Sequence, residues 1–209
     1  MPPPRRDPWR WPPVTSNWPP VMPGVERPRL YVFGGLIATG KSTLAAAWAA
    51  RLGIAHYNSD VVRKELAGLA STASRKEGAD QGIYTPEFTR KTYDTLLERA
   101  AAELEQGRSV VLDASYLDRQ ERRLVLELAR RLGVECRFIF CDCADQVKKE
   151  RLKLRARDPQ AVSDGRWEIY LRQKEKFQPP AELAPEQLLA IDTDQAIPTL
   201  LATLARRLL

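Results

Sequence analysis

The chain has 209 residues, which suits one α/β domain with a sizeable hydrophobic core. Its formal net charge is +6, but residues 1–29 hold five arginines against two acidic residues, so the rest of the chain is only mildly basic. Such a small positive charge is weak evidence for nucleic-acid binding. Three cysteines and one histidine exclude a disulfide framework or a zinc cluster and favour a reducing, cytoplasmic location. Neither a membrane span nor a signal peptide is predicted.

The first segment, residues 1–29, is an unusual stretch with ten of the sixteen prolines and three of the five tryptophans. Proline removes a backbone donor and fixes φ, so this segment is predicted to be an extended arm rather than a helix or a central strand. A disordered tail is the simplest interpretation. The tryptophans also suit an arm that docks on its own domain or on a partner. We therefore divide the chain into an arm, residues 1–29, and a domain, residues 30–209.

From residue 30 onwards, short apolar runs alternate with helix-forming segments. The predicted strands are residues 30–33, 54–57, 109–112, 136–141 and 187–191. The predicted helices are residues 43–51, 60–68, 86–106, 118–132, 145–157, 163–177 and 197–208. Ser59 or Asp60 is the expected cap of the second helix, and residues 69–84 are predicted to form a loop. Five short buried strands separated by helices predict a three-layer α/β fold around a parallel sheet.

The most informative segment is G-L-I-A-T-G-K-S, which fits the phosphate-loop pattern G-x-x-x-x-G-K-[ST] between a predicted strand and a predicted helix. Glycines let the backbone turn and expose successive N–H groups, which bind phosphate together with the helix N-terminus. Lys41 is expected to reach the β- and γ-phosphates of ATP, and Ser42 to ligate Mg²⁺. The predicted nucleotide-binding residues of this loop are Gly35, Leu36, Ile37, Ala38, Thr39, Gly40, Lys41, Ser42 and Thr43.

Two carboxylates follow predicted strands, at the edge of a parallel sheet where active-site crevices lie. Asp60 comes just after the second strand and could accept the proton of an attacking hydroxyl, with Arg63 on the same helical face. The alternative is a helix cap beside a solvated arginine. Asp113 ends the third strand, where a P-loop enzyme places a carboxylate that assists Mg²⁺ binding. The alternative for Asp113 is a simple turn residue.

A basic cluster follows the fourth predicted strand. Arg151, Arg155 and Arg157 precede the helix-breaking pair Asp158-Pro159. A basic helix followed by a break suits a lid that closes on phosphates, with Arg155 preferred as the catalytic arginine and Arg151 as a nucleotide contact. The alternative is a solvated charged face. The single histidine, His56, is expected to be a packing residue.

Taken together, three segments resemble the small P-loop kinases: residues 34–43 (GGLIATGKST), 59–66 (SDVVRKEL) and 109–115 (SVVLDAS). The most similar group is the ATP-binding domain often fused to aminoglycoside-phosphotransferase-like proteins. Gluconate kinase, chloramphenicol phosphotransferase, zeta toxin and the kinase domain of phage polynucleotide kinase are more distant members. Ala38 stands where many relatives have Gly or Ser, and we expect little effect because this position contributes its backbone.

The resemblance covers about residues 30–208 and implies a P-loop NTPase fold with strand order 2-3-1-4-5 and a mobile lid after the fourth strand. It also implies Asp60 as general base, Arg63 as a contact of the acceptor, and an adenine pocket near Thr193. The leading hypothesis is an ATP-dependent phosphotransferase whose acceptor is a small molecule with a hydroxyl group. A 5′-hydroxyl polynucleotide kinase is an alternative, disfavoured by the near-balanced charge. A regulatory module that hydrolyses ATP slowly and signals through the arm is another.

Overall fold

The computed structural model describes residues 27–70, 82–155 and 167–209. Nearly all of the predicted arm therefore lies outside the described residues, as do Arg157 and the Asp158-Pro159 break. The first strand begins at Arg29, one residue before the predicted start of the domain.

Five parallel strands form a single sheet in the order β2-β3-β1-β4-β5, as predicted. The strands are β1 Arg29–Gly34, β2 Ala55–Asn58, β3 Val110–Asp113, β4 Glu135–Asp142 and β5 Leu188–Asp192. Asp113, at the end of β3, is in register with Phe33 on one side and Asn58 on the other. The carboxyl ends of these strands meet at one edge of the sheet, where functional side chains gather in open α/β folds.

Helices cover both faces of the sheet. They are α1 Lys41–Leu52, α2 Ser59–Leu66, α3 Pro86–Glu105, α4 Arg119–Leu132, α5 Asp145–Arg155, α6 Trp167–Lys176 and α7 Ile197–Leu208, with 3₁₀ turns at Gly82–Tyr84 and Pro185–Gln187. Among the described residues, no helix has both the length and the apolar character that a membrane crossing would need.

The alternation of side chains along β1 creates two separate cores. Leu30 and Val32 pack with residues of α3 and α4, whereas Tyr31 and Phe33 pack with residues of α1 and α7. Trp48 of α1 is fully buried and meets Tyr31 edge-on, with ring centroids 5.8 Å apart. The central strand is thus buried on both faces, which is the three-layer arrangement expected of a parallel sheet.

The helix starts follow the sequence closely, with one correction. Thr85 caps α3 and Asp118 caps α4, each through its side-chain oxygen. For α2, the predicted caps Ser59 and Asp60 are wrong, because the cap is Asn58. Its side-chain oxygen accepts the N–H groups of Asp60 and Val61, and both Ser59 and Asp60 belong to the helix. Sequence position alone could not separate three adjacent residues that all favour capping.

Candidate active site

The phosphate loop connects β1 to α1 and is bonded to a neighbouring turn where it leaves β1. Gly35 donates its N–H to the carbonyl of Ser115 at 3.1 Å, which ties the loop to the turn after β3. A Cβ at Gly35 would lie 2.3 Å from the carbonyl oxygen of Cys141, and φ is +134°, so the position accepts only glycine. α1 begins at Lys41, so the N–H groups of Lys41 and Ser42 lie at a helix N-terminus, which suits anion binding.

Ala38 is the exception within the loop. Its φ is +64°, a left-handed conformation that costs a non-glycine residue roughly 1–2 kcal/mol. Its side chain is buried against Leu152 of α5 and Tyr170 of α6. The position therefore constrains the side chain as well as the backbone, which differs from the expectation that Ala38 would matter little.

A cleft of about 260 Å³ opens beside the loop at the carboxyl edge of the sheet. Lys41 and Ser42 line it from the loop, Asp60 from α2 and Arg155 from α5. The remaining lining residues are Ala38, Gly40, Thr43, His56, Asn58 and Val61. Seven of these ten residues were assigned to nucleotide binding or catalysis by the sequence analysis, and they share one cavity.

Asp113 lies at the base of this region and is fully buried. Its Oδ2 accepts from Asn58 Nδ2 at 2.5 Å and from His56 Nε2 at 3.3 Å, whereas its Oδ1 is buried without a hydrogen-bond partner. Burial acts to raise the pKa of Asp113, but the His56 bond, the charge of Lys41 and the Asn58 bond outweigh it and hold the pKa below its ordinary value. Asp113 is therefore an anion, with one oxygen free to interact.

This arrangement fits a magnesium ion. Ser42 Oγ offers a hard oxygen ligand, and the unpartnered Oδ1 of Asp113 can accept a hydrogen bond from a metal-bound water. In the parts of the chain that the structure describes, no group of three or more His, Cys, Asp or Glu side chains could hold a metal. Mg²⁺ commonly binds through few protein oxygens plus substrate phosphates, so these residues suffice once a nucleotide is present.

His56 and Asn58 were missed by the sequence analysis as site residues. The expectation that His56 only packs is wrong, because its ring lines the cleft and pairs with Asp113. Both residues lie on β2 two positions apart, and therefore on the same face of the strand, near its carboxyl end. That spacing, together with the strand's place beside the predicted Asp113, is the signal that could have found them.

Asp60 and Arg63, predicted to act together, have different surroundings. Asp60 lines the cleft from the first turn of α2, so the helix-cap alternative is wrong. Arg63 is buried, not solvated, and donates to the carbonyl of Ile83 at 2.7 Å and to Thr89 Oγ1 at 3.1 Å. Its Nε is buried without a partner. Arg63 thus joins α2 to the start of α3, and its contact with an acceptor remains a prediction.

Arg151 joins three parts of the site. It donates to the carbonyl oxygen and Oγ1 of Thr193, at 2.8 and 3.2 Å, and to the carbonyl of Ala38 at 3.4 Å. Thr193 Oγ1 in turn donates to the carbonyl of Thr39. The predicted lid helix, the phosphate loop and the segment after β5 are therefore bonded to one another, and the predicted residues Arg151 and Thr193 meet.

A second cavity of about 350 Å³ adjoins the first. Gly40, Thr43 and Arg155 line both cavities. The other residues of the second cavity are Arg151, Leu154, Thr193, Gln195, Ile197 and Leu200. The solvated-face alternative for the arginines therefore fails for Arg151 and Arg155, since each lines a cavity at the phosphate loop.

A buried polar cluster supports the turn after β3. Tyr93 Oη lies 3.1 Å from Ser115 Oγ, and the N–H of Tyr116 donates to Tyr93 Oη at 3.4 Å. Glu121 is also part of this cluster, and burial, followed by the charge of Asp118, raises the pKa of Glu121 to about 7. The cluster therefore contains a carboxyl group that is about half protonated at neutral pH.

The raised pKa of Glu121 makes stability depend on pH in a defined direction. Between about pH 4.3 and pH 7, the folded protein keeps a proton on Glu121 that the unfolded chain releases, so stability falls as pH rises through this window. Glu121→Gln replaces the carboxyl with a neutral amide of similar shape, so the stability of this variant should not fall over the same pH range. We expect the variant to be as stable as the wild type at pH 4, but more stable at pH 8 by on the order of 1–3 kcal/mol.

Denaturant unfolding at both pH values measures this difference. Glu127→Gln, an exposed glutamate on the same helix, is the matched control and should change little at either pH. A Glu121→Gln variant whose relative stability is the same at pH 4 and pH 8 would show that Glu121 titrates normally.

Comparisons with known proteins agree with this fold. Residues 30–180 match the family model described as AAA domain (AAA_33). An uncharacterized protein of Mycobacterium tuberculosis (strain ATCC 25618 / H37Rv) is 30% identical over 128 residues, which are 61% of this chain and 26% of that protein. The match thus spans about a quarter of that relative's length.

Two solved structures have a fold similar to that of this chain. The APS kinase of Mycobacterium tuberculosis in complex with AMPPNP and APS has a TM-score of 0.62 at 21% identity, covering 87% of this chain and 98% of that one. A gluconokinase from Sinorhizobium meliloti 1021 has a TM-score of 0.56 at 22% identity, covering 87% and 94%. The strand order and the loop define a domain with the fold of the P-loop kinases. The chain belongs to the AAA domain family named above.

Proposed function

We propose that the domain is an ATP-dependent phosphotransferase that moves the γ-phosphate of ATP to a hydroxyl group of a small molecule. One observation carries the proposal: Lys41 and Ser42 of the phosphate loop share a cavity with Asp60, a carboxylate that the loop itself does not need. Nucleotide binding alone calls for the loop, whereas transfer to a hydroxyl also calls for a group that accepts its proton.

The two adjoining cavities suit the two halves of ATP. The phosphates would lie in the cavity lined by Lys41 and Ser42, and the nucleoside in the cavity lined by Thr193. Leu154 and Ile197 supply apolar surface for a base in the second cavity. The AMPPNP bound to the APS kinase of the same fold is further support for ATP as the donor.

In the proposed reaction, the acceptor oxygen forms a bond to the γ-phosphorus while the bond between that phosphorus and the bridging oxygen breaks, and ADP leaves. Asp60 takes the proton of the acceptor hydroxyl. The ammonium of Lys41 and the guanidinium of Arg155 stabilise negative charge as it moves between the oxygens. Ser42 and Asp113 would hold Mg²⁺, which supplies charge neutralisation at the β- and γ-phosphates.

Two finer statements belong to this proposal. We assign the domain to the group of ATP-binding domains found fused to aminoglycoside-phosphotransferase-like proteins. The match covers only about a quarter of the mycobacterial relative, which supports a domain type that occurs within longer proteins. The chain is divided into an arm, residues 1–29, and a catalytic domain, residues 30–209. β1 begins at Arg29, one residue before that boundary.

The test is a screen of hydroxyl compounds with γ-labelled ATP and Mg²⁺, including sugars, sugar acids, aminoglycosides and DNA with 5′-hydroxyl ends. Label transferred to a small molecule by the wild type, and not by Lys41→Ala, would support the proposal. Transfer to DNA ends alone would replace it with the polynucleotide kinase. Slow hydrolysis without transfer to any acceptor would replace it with the regulatory module.

Replacing Arg155 and replacing Arg151 should have different effects on catalysis and on ATP binding. We expect Arg155→Ala to lower kcat more than it raises the Kd for ATP, because a charge at the transferring phosphate acts most in the transition state. Arg151→Ala should instead raise the Kd, since Arg151 is bonded to the loop carbonyl of Ala38 and to Thr193. Steady-state kinetics and calorimetric ATP binding measure both quantities.

Lys153→Ala is the matched control, because Lys153 is an exposed cation on the same helix that lines neither cavity. It should leave kcat and Kd near the wild-type values. Equal kcat for Arg155→Ala and Lys153→Ala would remove Arg155 from the catalytic residues.

A further inference from the structure

The side-chain amide of Asn58 forms hydrogen bonds through both its oxygen and its nitrogen. Its Oδ1 accepts the N–H groups of Asp60 and Val61, at 3.0 and 3.1 Å. Its Nδ2 donates to Asp113 Oδ2 at 2.5 Å and to Ser42 Oγ at 3.3 Å. An amide has two donor hydrogens and an oxygen with two lone pairs, so this set uses its whole hydrogen-bonding capacity.

The partners of Asn58 come from three different elements. Ser42 belongs to the phosphate loop and α1, Asp113 ends β3, and Asp60 lies in the first turn of α2. These are the two groups assigned to Mg²⁺ and the carboxylate assigned to proton transfer. A single side chain thus connects the proposed metal site to the helix that carries the proposed base.

Capping alone does not explain an asparagine at this position. Serine and aspartate cap helices about as well. A serine hydroxyl used for capping is too short to bond Asp113 and Ser42 as well, and an aspartate would place a second carboxylate against Asp113. Of these residue types, only the amide of asparagine can accept from a helix start and donate to two oxygens at once.

One of the two bonds from Nδ2 has a direct consequence for Asp113. It occupies Oδ2, with His56 adding a second bond to the same oxygen, and leaves Oδ1 as the buried oxygen without a partner. The carboxylate is thereby fixed with one oxygen bound to protein and the other free. Groups that orient the ligands of a metal are typically worth 10- to 100-fold in metal affinity.

We infer that Asn58 is a positioning residue for magnesium: its amide orients Asp113 and Ser42 for the metal, while its oxygen holds the helix that carries Asp60. This inference rests on the proposed function, because it requires a Mg²⁺–nucleotide complex at the loop. It assigns to Asn58 a role that helix capping would not require.

Asn58→Ser tests the inference, because serine keeps the cap and loses the donors to Asp113 and Ser42. The measured quantity is the Kd of a non-hydrolysable ATP analogue, once with Mg²⁺ and once with EDTA. The ratio of the two values gives the gain in affinity that Mg²⁺ provides. For Asn58→Ser we expect that gain to shrink by about 10-fold or more, while the Kd in EDTA stays within about twofold of the wild type.

Asn58→Ala serves as the comparison for stability. It should lose the same Mg²⁺-dependent gain and also unfold at a lower denaturant midpoint because the cap is lost, whereas Asn58→Ser should unfold near the wild-type midpoint. An Asn58→Ser protein with the full Mg²⁺ gain would overturn the inference and leave Asn58 as a cap. A wild-type protein that binds the analogue equally with Mg²⁺ and with EDTA would overturn the inference and the proposed magnesium site together.

Discussion

Replacing Lys41 with alanine should abolish phosphoryl transfer and weaken ATP binding. Lys41 is the first residue of α1 and lines the cleft beside Ser42 and Asp60. Its charge already acts on this site, because it helps hold the pKa of Asp113 below the ordinary value. Removing a cation that faces the transferring phosphate removes charge stabilisation that is largest in the transition state, and we expect kcat to fall by at least about 10²–10³-fold.

Turnover of labelled ATP and calorimetric ATP binding measure the two effects of Lys41→Ala. Thermal unfolding is the necessary companion, since a folded variant should melt near the wild-type temperature. Lys153→Ala, on the exposed side of α5, is the control for the loss of one positive charge. Near-normal turnover by folded Lys41→Ala would contradict the assignment of the phosphate loop.

Asp60→Asn should bind ATP normally and lose phosphoryl transfer by about 10²-fold or more, which is the scale of general-base catalysis. Asparagine keeps the size of the side chain but cannot accept the proton of the acceptor hydroxyl. The variant should also fold normally, because Asn58 rather than Asp60 caps α2. A loss in kcat with unchanged Kd for ATP therefore isolates the proton transfer.

Glu65→Gln is the matched control for Asp60→Asn. Glu65 lies on the same helix, is exposed and pairs with Arg99 on the surface, so removing its charge should leave activity unchanged. Measuring kcat for both variants with the same acceptor distinguishes a specific carboxylate from the general charge of α2. Full activity in Asp60→Asn would contradict the role of Asp60 as base.

Much of the fold could be predicted from local patterns. The five strands were recognised as short apolar runs, and glycines and capping residues marked most helix ends, as with Thr85 and Asp118. The strand order could not be predicted in this way, because it came from the resemblance to P-loop kinases and not from periodicity. Local pattern specifies which residues face a core, but not which strand lies beside which.

The site was predicted where a motif carried it and missed where only the fold creates it. Lys41 and Ser42 follow from the spacing of the loop. The contact of His56 and Asn58 with Asp113 joins β2 to β3, more than fifty positions along the chain, through parallel pairing that no local pattern encodes. The buried setting of Arg63 and the positive φ of Ala38 likewise depend on tertiary packing.

The most direct test of the central claim follows labelled γ-phosphate from ATP to a hydroxyl acceptor in a single turnover, using wild type and Asp60→Asn at equal, saturating nucleotide occupancy. The account predicts that the wild type transfers label to an acceptor, and that Asp60→Asn, equally loaded with ATP, transfers about 10²-fold more slowly or less. Release of label as inorganic phosphate at the same rate from both proteins, with no dependence on any acceptor, would contradict it.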